Sequence, residues 1–139
     1  MEVYKTDSFE VDYDPQERLF LQCHAMPDSQ EFRRGLLVAL EFAKSHQVKQ
    51  WLLDFREIGE LNEQEETWIQ VQLFPQIMMS LGMDNYMAVV VSEKCYDYLL
   101  KEAGLLGLKS YNSFIIINYF FDLAEASAWL DSCPVAKAG

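Results

Sequence analysis

Two histidines, three cysteines and 22 acidic side chains are the first candidates in this 139-residue chain to move protons, hold metal or attack a substrate. His24 directly follows Cys23. Neighbours on an extended strand point to opposite faces, so the two form no dyad. His46 falls where a helix closes, a position at which a cation complements the helix dipole. Neither histidine has a second ligand at metal spacing, so no catalytic or metal role is expected of them. Cys95 lies near a helix start, where a thiol pKa is lowered; packing as a small apolar residue under a sheet explains it with fewer requirements. Asp12 and Asp14 begin like a calcium loop, but Glu17 stands where that loop needs glycine. No G-x-G-x-x-G or G-x-x-x-x-G-K-[ST] cradle follows any strand, and no G-x-S-x-G elbow exists. The expected inventory is therefore no catalytic residue, no metal and no cofactor.

One segment gathers polar groups beside a helix start. Asp54-Phe55-Arg56-Glu57-Ile58-Gly59-Glu60-Leu61-Asn62-Glu63 leaves an apolar strand and enters a helix that carries Trp68. Asp54 and Arg56 share one side of the extended chain by parity and are placed to pair. Carboxylates here complement the helix dipole and need no partner to explain them; they equally form a polar contact surface. Asp54, Arg56, Glu57, Glu60, Asn62, Glu63 and Trp68 are thus the candidate interaction residues. Trp68 and Ile69 line either a pocket or ordinary core. Met78, Met79 and Met83 fit an adaptable contact or a filled gap.

The elements that must position these residues follow from hydrophobic period. Phe9, Val11 and Tyr13 alternate with Glu10 and Asp12, as in a half-buried strand. Asp14-Pro15-Gln16-Glu17 supplies the reversal, and Arg18 to Ala25 returns as the second arm of a hairpin. Asp28 and Glu31 cap a helix to about Ser45. Gln50 to Phe55 is nearly all apolar, as a strand covered on both faces is. Asn62 and Glu65 repeat the capping pattern and open a second helix, in which Pro75 predicts a kink or two shorter helices and Gly82 a stop. Tyr86 to Val91, a helix from Ser92 to about Gly104 or Gly107, Phe114 to Tyr119 and a helix after Asp122 complete the chain. The order is β-β-α-β-α-β-α-β-α: an α/β domain with a mixed, mostly parallel five-stranded sheet and four helices. Residues 1–133 form one domain, and 134–139 are expected to fray.

Composition narrows the partners. A net charge of −11 repels phosphate backbones and anionic lipid, and Arg33-Arg34 is the only dense basic pair. Nucleic acid is not expected as a partner. The three cysteines are widely spaced and form no C-x-x-C pair, which fits a reducing compartment. The first residues lack a signal-peptide pattern, and no apolar run reaches the roughly 18 residues of a membrane span. A cytoplasmic location is the expectation.

With this order in place, several stretches resemble a known group. RLFLQCHA runs into the Asp28 helix, QWLLDFREIGEL enters the second helix, YMAVVV precedes KEAGLLGLKSYNSFI, and FDLAEASAWL closes the pattern. From Phe9 to Leu130 the chain resembles the STAS-like superfamily, more narrowly the small bacterial proteins grouped as SpoIIAA-like or STAS/SEC14-type domains. Anti-anti-sigma members carry a phosphorylatable serine in the turn opening the second helix. Here Glu60-Leu61-Asn62-Glu63-Gln64-Glu65 holds no Ser or Thr before Thr67, which speaks against a serine phospho-switch. Glu63 either imitates a phosphorylated state or belongs to a simple capped helix. The resemblance implies a non-enzymatic interaction domain that binds a protein partner or itself through the Asp54–Trp68 region. The rival reading is carriage of a small apolar or lipid-like ligand beneath the Met- and aromatic-rich second helix.

Overall fold

The computed structural model describes residues 1–58, 63–107, 109–110 and 114–134, with the side chains of residues 102–110 outside the description. Glu60, Asn62 and residues 135–139 of the expected frayed tail lie outside the described residues. The N-terminal arm comprises β1 (Glu2–Lys5), β2 (Phe9–Tyr13) and β3 (Arg18–Cys23). β2 and β3 pair antiparallel from Phe9 opposite Cys23 to Tyr13 opposite Leu19. Their reversal is held by Asp14, whose Oδ1 accepts the Gln16 N–H at 3.0 Å, and by Glu17 in a left-handed conformation with φ 62°. β3 ends at Cys23, two residues before the expected Ala25.

α1 (Ser29–His46) begins as its sequence dictates: Asp28 Oδ1 accepts the Glu31 N–H at 2.8 Å. Its apolar stripe, Phe32, Leu36, Ala39, Leu40 and Ala43, is buried against the sheet. Gly35 permits the close approach, since a Cβ there would meet the Phe9 ring at 3.0 Å. β4 (Gln50–Asp54) is buried along its whole length.

A helical run then passes through α2 (Glu63–Trp68), a π-helical turn (Ile69–Leu73) and α3 (Phe74–Leu81). The break expected at Pro75 takes the form of this π turn. The Phe74 N–H reaches back to the Ile69 carbonyl, five residues away. The turn resets the register so that Pro75 falls in the first turn of α3, where its missing N–H forfeits no helical bond. Gly82 ends the run at φ 70°.

β5 (Asn85–Val90), α4 (Glu93–Gly107), β6 (Lys109–Ser110), β7 (Ile115–Phe120) and α5 (Leu123–Ser132) follow. Ser92 Oγ accepts the Cys95 N–H at 3.1 Å, and Asp122 Oδ1 accepts that of Ala124 at 2.8 Å, so both helices start on the side chains expected to cap them.

The fold is mixed α/β, but the expected five strands are corrected to a seven-stranded sheet, ordered β1-β2-β3-β4-β5-β7-β6. The two additions are edge strands of four and two residues, too short to show a period of their own. β3, β4, β5 and β7 run parallel at the centre, and the flanking ladders are antiparallel. From β3 onward the parallel strands are laid down in one direction. Crossovers of a single hand then put every connecting helix on the same face. Accordingly α1, α3 and α4 lie over Trp51, Leu53, Met87 and Ile117, while α5 packs alone on the other face against Leu52, Tyr86, Ala88 and Val90.

Candidate functional site

Three helices sharing one face leave room between them. Trp51, Leu53 and Phe55 of the β4 segment, Met87, Val89 and Val91 of the β5 segment, and Ile117 and Tyr119 of β7 form the floor of a cavity of about 650 Å³. Leu36 closes it from α1, Ile69, Leu73 and Phe74 from the π turn and α3, and Cys95, Tyr98 and Leu99 from α4. Phe55 and Val91 each lie one residue beyond a strand, so the space opens at the carboxyl ends of the parallel strands, where open α/β sheets hold ligands.

The space opens to solvent on the side lined by Glu63, Glu66 and Tyr98, all three exposed.

Polar groups in the wall are few. Glu63 and Glu66 stand three residues apart on one side of α2 and line the cavity with carboxylates, both residues being solvent-exposed. The Tyr119 hydroxyl titrates above its usual range, first because it is buried and then because Glu66 and Cys95 lie near it. Trp51 is fully buried, and its indole N–H has no hydrogen-bond partner among the described residues.

The described residues among those marked out by sequence do not all share one surface. Asp54 and Arg56 pair as parity predicted: Arg56 Nε and Nη2 donate to the two Asp54 oxygens at 2.9 and 2.8 Å. Asp54 is only 3% exposed, and its partner's guanidinium is held above its ordinary pKa by that hydrogen bond. The pair continues the Gln50–Leu52 alternation, on the side of the sheet covered by α5 and near its capping Asp122. Glu57 is exposed, and Glu63 lines both the cavity and an outer groove that it shares with Trp68. Trp68 is half-buried beneath the Arg33 guanidinium, whose carbon lies 5.4 Å from the ring centre. Arg33, Trp68 and Val71 border a shallow groove on the outer side of this helical run.

Glu65, read from sequence as half of a capping pair, instead makes the main polar tie between helices. It is 1% exposed, accepts the Ser29 hydroxyl at 2.6 Å and receives Arg33 Nε at 3.1 Å. A signal for this existed. Counting back in fours from Leu81, Ile77, Leu73 and Ile69 lands on Glu65, so a carboxylate occupies a core position and needs buried partners. The cavity answers in part to the alternative of a pocket beneath the second helix: Ile69 lines it, whereas Trp68, Met78, Met79 and Met83 are not among its lining residues.

The remaining reactive groups are engaged elsewhere. His24 pairs with Glu10 near the sheet edge, and His46 stacks on Phe42 with ring centres 4.0 Å apart. Cys23 is buried, and its thiol is pushed up to about 12, mainly by desolvation. Among the described residues no cluster of three His, Cys, Asp or Glu side chains is placed to hold a metal, and no helix is long and apolar enough to cross a membrane. Comparison with protein-family models, curated proteins and solved structures gave no match.

Proposed function

We propose that this protein is a non-enzymatic carrier or sensor of a small apolar ligand, held between the sheet and the α2–α4 helices. The observation that carries the reading is the cavity of about 650 Å³, lined chiefly by Leu, Ile, Val, Phe and Met side chains at the strand ends. That volume falls within the roughly 300–1,000 Å³ of small-molecule sites. The reading also suits the STAS/SEC14-type resemblance, which suggests carriage of a small apolar or lipid-like molecule. Native mass spectrometry of the purified protein tests it. A co-purifying small molecule, lost when Val89 is replaced by Trp, is the expected result. A mass equal to the polypeptide alone, together with no uptake of any apolar compound, overturns it.

A second reading, an interaction domain for a protein partner or a second copy, draws on the outer groove. There Trp68 is held by Arg33 beside Val71, which is 59% exposed. Aromatic and Arg side chains of this kind anchor interfaces. Replacing exposed Val71 by Glu should then abolish self-association in sedimentation velocity, or capture of a defined partner, while the folded spectrum is retained.

A further inference from the structure

The cavity's wall identifies the class of molecule it accepts. Its interior is hydrocarbon, and α2 sets two carboxylates, Glu63 and Glu66, side by side along it. No ion pair engages either of them among the described residues, while Arg33 and Arg56 are committed elsewhere. Arg33 lies against Glu65 and Trp68, and Arg56 is doubly bonded to Asp54. Lys94 and Lys101 border a surface depression with Glu93, Asp97 and Tyr98, the last of which also lines the cavity. An amphiphile with a carboxylate or phosphate head would bring a third negative charge to this place on a chain already at −11. A positive head would meet two carboxylates and the faces or hydroxyls of Tyr98 and Tyr119, which border the same space.

We infer that the occupant is an organic cation, with an apolar body in the cavity and an amine or quaternary ammonium group at Glu63 and Glu66. The inference rests on the ligand-binding reading above and specifies it. Helix chemistry alone would place acids in the first turn of α2, but it does not require them to share a cavity wall.

Three probes of equal chain length separate the alternatives: dodecylamine, dodecanol and dodecanoate. Each is titrated calorimetrically near neutral pH, below its aggregation concentration, into the full chain. Dodecylamine should bind at least about tenfold more tightly than dodecanol, and dodecanoate more weakly than either. The E63Q/E66Q double variant should remove that tenfold advantage and leave dodecanol affinity unchanged. V89W should abolish binding of all three, with I69W as the substitute if V89W fails to fold. Amine binding that survives in the filled variant is adsorption to an acidic surface and overturns the inference. Equal affinities, or a preference for dodecanoate, overturn the cation assignment while the cavity reading stands. Failure of all three to bind overturns both.

Discussion

Cys23 lies on the buried face of β3 at 1% exposure, and burial, with Asp54 and Glu31 nearby, lifts its thiol from 9.0 to about 12. The folded state therefore keeps a proton that the unfolded chain releases. Its contribution to stability is complete below pH 9 and is lost as pH rises toward 12. Over that window the loss approaches about 1.4 kcal/mol per pH unit. Urea unfolding of C23A should accordingly show a shallower decline between pH 9 and 10 than the unsubstituted chain. An identical slope would mean that this thiol is not shielded. Tyr119 acts in the same direction at higher pH, since burial raises its hydroxyl above 10.0. The same burial that makes Cys23 inert removes it from any list of nucleophiles, consistent with its place among Phe9, Leu21 and Phe32 in the core.

At the scale of elements, the helical run from α2 to α3 concentrates what sequence pattern conveys and what it does not. Glu65 fixes α2 to α1 through Ser29 and Arg33. Removing a buried, partnered carboxylate strands its donors, so E65A should cost about 3 kcal/mol in urea unfolding. A double-mutant cycle with R33M should give a coupling of about 1 kcal/mol, reduced because the Arg33 side chain is 35% exposed. A loss below about 0.5 kcal/mol, the range of ordinary surface substitutions, would refute the tie. Pro75 offers a sharper contrast. If the π turn places it in the first turn of α3, P75A should change stability by less than about 1 kcal/mol, because no helical bond is regained. In an uninterrupted α-helix the same change would stabilise by about 3 kcal/mol, and thermal denaturation distinguishes the two. The alternation of β2, the capping residues Asp28, Ser92 and Asp122, and the fully apolar β4 and β5 were all legible, since each records a local requirement in its own residues. β1 and β6 were not, being shorter than a period can reveal. The Asp54–Arg56 pair was legible from parity, whereas its separation from Glu63 and Trp68 depends on which face each element turns inward. Spacing along the chain does not encode that.

For the whole molecule, the governing feature is a sheet whose central strands progress in one direction, so that three helices crowd one face and α5 alone covers the other. The crowded face holds the cavity, and the α5 face is packed by Leu52, Ala88, Val90, Ala126 and Leu130. The most direct measurement is a methyl-resolved NMR titration of the intact protein with dodecylamine. The account predicts saturable shifts at Met87, Leu73, Val89 and Leu99, which line the cavity, and none at Ala88 or Leu130 on the opposite face. Shifts confined to surface methyls such as Met79, or spread equally over both faces, would contradict it.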